Sequence, residues 1–212
     1  SIIKVLGIGG GGSNAVNHML KQGIAGVDFV ICNTDSQALE SSPVPTKIQL
    51  GSKGLGAGNV PSVGKEAAEE SHDKLKPLLE QNTQMLFITA GMGGGTGTGG
   101  APVFARMAKE MGILTVGIVT MPFAFEGRKR RQQAEAGIRE LRQNVDTLLI
   151  ISNDKLREQC GDLKLSAAFA RADNVLATAA KGIAEIITVE GYINVDFEDV
   201  KTVMKDSGGA IM

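Results

Sequence analysis

Tryptophan is absent, tyrosine occurs once and aromatic residues make up only 4% of the 212 residues, which leaves little surface on which the bases of a single strand could stack. The net charge is -1, so there is no general attraction for polyanions either. Nucleic acid is therefore not an expected partner. Cysteine is nearly missing: Cys32 and Cys160 stand far apart with no CxxC pair, which excludes a disulfide framework and a zinc spacing. Both read as packing residues. The two histidines, His18 and His72, lie in helix-like stretches without an HExxH pattern, so no protein-ligated metal is expected. There is no uncharged apolar run long enough to span a bilayer, and direct membrane contact is not expected. The chain opens directly on the strand-like Ile2-Ile3-Lys4-Val5-Leu6 without the basic, apolar, small-residue order of a signal peptide, which favours the cytoplasm.

What the sequence has in quantity is glycine, 28 residues of it, and an alternation of short β-rich apolar runs with longer helical patterns. Strands are expected at Ile2–Ile8, Val27–Asn33, Lys47–Leu50, Met85–Ala90, Leu114–Thr120 and Thr147–Ser152, and helices at Ser13–Gln22, Val63–Glu80, Thr98–Met111 and Arg128–Asn144. This order predicts the α/β class: a doubly wound, mostly parallel, Rossmann-like sheet covered on both faces. Such sheets bind ligands at the carboxyl ends of their strands, so the loops that follow the strands carry the functional weight.

The first of these loops is Gly9-Gly10-Gly11-Gly12, followed by Ser13-Asn14 at a helix start. Glycines let backbone N–H groups approach an anion, and a helix N-terminus adds attraction for phosphate. From Gly7 the run also fits GxGxxG, and Asp35 falls where a ribose-binding acid would sit, so an NAD-dependent oxidoreductase stays open on this loop alone. The loop after Ala90, Gly91-Met92-Gly93-Gly94-Gly95-Thr96-Gly97-Thr98-Gly99-Gly100, is not needed by a dinucleotide site. Two phosphate cradles at neighbouring strand ends suit one triphosphate, with Thr96 and Thr98 as hydroxyl donors. A Walker A loop is absent; the nearest approach, Gly58 to Gly64-Lys65, has one residue too many and Glu66 where the hydroxyl should stand.

The string Gly93-Gly94-Gly95-Thr96-Gly97-Thr98-Gly99 resembles the signature of the tubulin and FtsZ family, bacterial tubulin-like cell-division GTPases. Asn33-Thr34-Asp35, the segment Pro122 to Arg130, Asn153-Asp154-Lys155-Leu156, Ala172-Asp173-Asn174-Val175-Leu176 and Asn194 to Val200 follow in family order. The resemblance implies a GTP-binding α/β domain over residues 1–164, a central helix over 165–190 and an acidic catalytic loop with its following helix over 191–212. It implies that Gly9, Gly10, Gly11, Gly12 and Asn14 with Gly94, Gly95, Thr96 and Gly97 hold the phosphates of GTP or GDP, with Glu126 and Arg130 near ribose and phosphates. Asn153, Phe169, Asn14 and Asp173 would form the base pocket. Asp173 is the base reader, because a carboxylate accepts from both guanine N1–H and N2–H₂, a donor pair adenine lacks.

Apolar residues recur at Leu165, Phe169, Ala172, Leu176, Ala179, Ile183 and Ile186, the period of one long helix. At about 1.5 Å per residue it would separate Asp173 from Glu190 by roughly 25 Å, so the acidic loop beyond should reach a neighbouring subunit's nucleotide rather than its own. By resemblance, Asp196 and Asp199, with Asn194 helping, act there on the attacking water, Mg²⁺ balances the phosphate charge, and head-to-tail filaments of the division ring are the setting. Asp196 is also a candidate N-cap for a helix over Phe197–Lys205.

Two departures from the family pattern stand out. The 51–61 loop is short, with Asn59-Val60-Pro61 in place of Ala-Asn-Pro, and the chain stops at Met212 where family members continue. A truncated chain is expected, with no tail for the family's tail-binding partners. A scaffold that binds GTP without hydrolysing it remains a further alternative.

Overall fold

The computed structural model describes residues 1–24, 26–160, 164–188, 197–205 and 208–211. Seven strands form one sheet: β1 (Ile3–Ile8), β2 (Val27–Asn33), β3 (Thr46–Gln49), β4 (Met85–Gly91), β5 (Leu114–Met121), β6 (Thr147–Ser152) and β7 (Gly208–Ile211). Every pairing is parallel, in the order β3-β2-β1-β4-β5-β6-β7. The central strands read as continuous apolar runs because both faces are covered; all residues of β1 are buried. The expected α/β, doubly wound architecture is the one observed.

Nine helices lie along the described chain: α1 (Gly9–Gln22), α2 (Ser36–Glu40), α3 (Pro61–Glu70), α4 (His72–Glu80), α5 (Thr96–Glu110), α6 (Arg128–Arg142), α7 (Asn153–Cys160), α8 (Leu165–Thr188) and α9 (Phe197–Met204). One core joins the sheet to Ala68, Leu75, Phe104 and Leu141 of α3 to α6. The other joins its opposite face to Val16, Met19, Leu39 and Leu176 of α1, α2 and α8. Phe104 is fully buried in the first; Phe104→Ala is expected to lower the stability to urea by about 3–5 kcal/mol, since a ring-sized void cannot be refilled from outside. Cys32 sits inside the same core, where burial pushes its thiol well above the ordinary range. That fits a packing role.

The structure corrects several sequence expectations. The single helix expected over Val63–Glu80 is broken at Ser71, whose hydroxyl accepts from Gly51 N–H at 2.8 Å, and Pro77 then denies the second piece a backbone donor. Apolar periodicity runs through both pieces, so it could not reveal the break. α3 lies so close to α5 that a side chain at Gly99 would strike the Pro61 carbonyl, which assigns part of the second glycine run to helix packing. The buried stripe of α8 is Ala168, Ala172, Leu176, Ala180 and Ala184, whereas Leu165 and Phe169 are exposed. Small residues set this helix against α1, and larger apolar ones at its start face elsewhere. The short α2, α7 and β7 were not expected.

Strand order reverses between β1 and β4, where Ile8 and Ala90 are register partners. The crevice beyond their carboxyl ends is thus the topological switch point, and it is flanked by the two glycine runs.

Candidate nucleotide-binding site

The first glycine run is the opening turn of a helix, whereas the second makes a turn over 92–95 before its helix begins. α1 starts at Gly9, and α5 at Thr96 with Gly95 as its cap. Neither cap residue, Ile8 or Gly95, makes a side-chain cap hydrogen bond, so the first N–H groups are directed to whatever fills the crevice. A cleft of about 380 Å³ lies there, lined by Gly9, Gly10, Gly11, Gly94, Gly95, Thr96, Gly97, Arg130 and the 56–59 segment, with Asn33, Thr34 and Asp35 after β2 closing one side. At Gly95 a β-carbon would lie 2.7 Å from Ala57 Cβ and 2.9 Å from Val60 N, so only glycine lets the 51–61 loop close over the cradle. Gly12 is buried beneath the cleft rather than on its wall. Thr98 is buried too, and its hydroxyl accepts from Gly93 N–H at 2.8 Å; it braces the turn, and Thr96 alone of the two threonines reaches the cleft.

Arg130 is the cation on this wall and Asp35 the acid. Arg130 is held from two sides, by Glu126 at 3.4 Å and by Asn59 Oδ1, to which Nη1 donates at 3.2 Å. Glu126 is fixed in turn by accepting from Phe123 N–H at 2.7 Å, so it acts on the cleft through Arg130. Arg131 points away, paired with Glu135 at 3.4 Å and Asp154 at 3.9 Å. The unusual Asn59 adopts a left-handed conformation (φ 58°), and Gln133 ties its carbonyl and that of Gly93 to α6 at 3.2 and 2.7 Å. Asp35 engages Oδ1 with the N–H groups of Gln37 and Ala38, capping α2. That local role accounts for the acid which a ribose-binding fingerprint would need. Gly64 and Lys65 lie within α3, with Lys65 paired to Glu140 at 3.2 Å, so the lysine of the Walker-like near miss does not line the cleft.

A second cleft of about 380 Å³ opens between α1 and α8, lined by Asn14, Asn17, His18, Lys21, Ser166, Phe169, Ala170 and Asp173. Gln22 clamps the two helices by donating to Asn174 at 3.2 Å. Burial pushes the Asp173 carboxyl up to about 6. Phe169 meets Phe123 edge-on at 5.1 Å, Phe123 stacks on Phe125 at 4.8 Å, and the Arg157 guanidinium lies over Phe125. Asn14 thus stands in this second cleft with Phe169 and Asp173, and not among the residues that line the first. Asn153 lines neither cleft; it is buried at the start of α7, and its Oδ1 has no hydrogen-bond partner among the described residues.

Asp199 is exposed in the first turn of α9. The end of that helix is fastened to the amino end of β6, where Thr147 Oγ1 donates to Met204 O at 2.8 Å. The cradle occupies the opposite, carboxyl edge of the sheet. Asn194 and Asp196, like Glu190, lie outside the described residues. Sequence reasoning missed Gln133, Asn59 and Thr34 as residues that organise the cleft. The Asn33-Thr34-Asp35 order was the available signal for the last.

A doubly wound parallel sheet with two bare helix N-termini converging at its switch point defines a nucleotide-binding α/β domain. Comparison with known proteins narrows the class. The profile of the Tubulin/FtsZ family, GTPase domain, matches residues 2–161, and the chain belongs to that family. Cell division protein FtsZ of Pseudomonas aeruginosa is 56% identical over 216 residues, covering 100% of this chain and 55% of its own. The protein of the same name from Coxiella burnetii is 56% identical over 214 residues, covering 99% and 55%. Among solved structures, an empty FtsZ dimer of M. jannaschii superposes with a TM-score of 0.94 at 47% identity, covering 98% of this chain and 61% of that one. The chain spans about half the length of the curated relatives it matches. Family membership removes the oxidoreductase reading.

Proposed function

We propose that the protein binds GTP and GDP and hydrolyses GTP as a self-assembling subunit of the cytoplasmic filaments that form the bacterial division ring. The observation that carries this reading is the convergence of Gly9 to Gly11 and Gly94 to Gly97 on one cleft, with Asp173 and Phe169 in the cleft beside α1. The phosphates would be held by the N–H groups at the starts of α1 and α5 and by Arg130, and guanine would be read by Asp173 between Asn14 and Phe169.

Among the described residues no group of three or more His, Cys, Asp or Glu could hold a metal ion. Mg²⁺ would fit this domain as an ion carried on the nucleotide phosphates and water, where it would also answer the charge of Asp35 across the cleft. It supplies charge neutralisation at the transferring phosphoryl group.

Hydrolysis is assigned to a composite site, with Asp199, Asp196 and Asn194 acting on the nucleotide of the next subunit in a head-to-tail contact. Support comes from the placement of α9. Phosphate release per molecule is expected to rise steeply with protein concentration, followed alongside light scattering after GTP addition. A specific rate independent of concentration would remove catalysis in trans. Guanine binding without any release would leave the inert scaffold.

A further inference from the structure

Two hydroxyls face each other across the phosphate cleft. Thr34, just beyond β2, and Thr96, the first residue of α5, place their Oγ1 atoms 2.7 Å apart. Both residues line the cleft. Thr34 is the deeper of the two, 4% exposed, and its hydroxyl has no other hydrogen-bond partner among the described residues. Its carbonyl accepts from Gly56 N–H at 3.1 Å, so this one residue ties the β2 end both to the 51–61 loop and to the start of α5.

At this distance one hydroxyl donates its hydrogen to the other, and without a ligand either can be the donor. A nucleotide phosphate decides the direction. Its oxygens only accept at neutral pH, so the hydroxyl facing them must donate, and that hydroxyl is the more exposed Thr96 at the helix N-terminus. Thr96 then accepts a hydrogen bond from the Thr34 hydroxyl, giving a chain from Thr34 through Thr96 to phosphate in which each bond polarises the next. We infer that Thr34 is a positioning residue of the phosphate cleft, holding the Thr96 hydroxyl in the orientation that donates to the nucleotide's phosphate. The inference rests on the guanine-nucleotide reading above.

Calorimetric titration with GDP and with guanosine, which lacks the phosphates, separates this role from a general effect on folding. Thr34→Val, nearly isosteric, is expected to weaken GDP about tenfold and leave guanosine unchanged, and Thr34→Ser is expected to restore GDP. The double variant Thr34→Val/Thr96→Val should bind GDP no more weakly than Thr96→Val alone, because the two hydroxyls act as one unit. GDP affinity equal to that of the unsubstituted protein, equal losses for GDP and guanosine, or additive losses in the double variant would each overturn the inference. If Thr34→Val does not fold, Thr34→Ala carries the same comparison. Failure of the unsubstituted protein to bind GDP removes the nucleotide reading and this inference with it; the other negative results remove the inference alone.

Discussion

Asp173→Ala is expected to weaken GDP binding by roughly 10²- to 10⁴-fold, the loss of two hydrogen bonds to a charged acceptor at about 1.5–3 kcal/mol each. The carboxylate lies in the cleft between α1 and α8 with Asn14 and Phe169, where water competes poorly for it. Alanine leaves the guanine N1–H and N2–H₂ facing no acceptor, and the phosphate cradle at Gly9 to Gly11 is untouched. The loss should therefore be nearly the same for GTP, GDP and guanosine, as measured by calorimetry. Asp173→Asn makes a sharper prediction. An amide accepts at Oδ1 and donates at Nδ2, which mismatches guanine but matches xanthine, with a carbonyl in place of the 2-amino group. The Asn variant should prefer xanthosine to guanosine nucleotides, and an unchanged preference for guanosine would remove Asp173 as the base reader.

The same residue sets a pH dependence. Burial lifts the Asp173 carboxyl from 3.8 to about 6, whereas guanine requires it ionised. Below about 6 each binding event must expel a proton, so GDP affinity should fall about tenfold per pH unit there and level off near 7. The sign for the fold without nucleotide follows from the same shift. The native state holds the proton more tightly than the unfolded chain, so stability from this group is greatest below 3.8, declines as pH rises from 3.8 to about 6, and stays lower beyond that. Bound guanine, by satisfying the ionised carboxylate, would relieve that penalty. In Asp173→Asn the slope of affinity against pH should vanish.

Much of the architecture was legible because parallel strands buried on both faces must be apolar throughout, and β2 and β6 fall at Val27–Asn33 and Thr147–Ser152 as read from the sequence. What escaped was decided by contacts distant in sequence. Ser71 ends α3 through a hydrogen bond to Gly51, Asp35 starts α2 as a cap, and β7 exists because Gly208–Ile211 pairs with β6 from far along the chain. At the site, the glycine strings announced both cradles, but string matching cannot divide labour within them. Gly95 yields to the 51–61 loop, Gly99 to α3, and Thr98 to the Gly93 turn, leaving Thr96 facing the cleft. The long-helix pattern likewise fixed α8 and placed Ala172 and Leu176 correctly in its buried face, but not the start of the helix, where Leu165 is exposed and Phe169 lines the cleft beside α1.

Asp199→Ala is expected to leave GTP affinity nearly intact while lowering phosphate release by roughly 10²- to 10⁴-fold, the range for a group that acts on the attacking water. Affinity should survive because Asp199 lies on α9, fastened to the amino end of β6, whereas the cradle sits at the carboxyl edge of the sheet. Along α8 the chain rises roughly 22 Å between Asp173 and Thr188 at about 1.5 Å per residue, before the acidic segment begins. On the proposed reading, a carboxylate at that end would serve the nucleotide of another copy. Mixing decides the matter. Asp173→Ala supplies an intact Asp199 without bound GTP, and Asp199→Ala supplies bound GTP without the carboxylate. Neither alone should release phosphate at the normal rate, but the mixture should recover activity at every contact where an Asp173→Ala subunit presents its α9 to an Asp199→Ala neighbour. Recovery that reaches a maximum near equal proportions is the signature of a site shared between subunits. Full activity of Asp199→Ala alone, or a mixture no better than the sum of its parts, would refute the composite site.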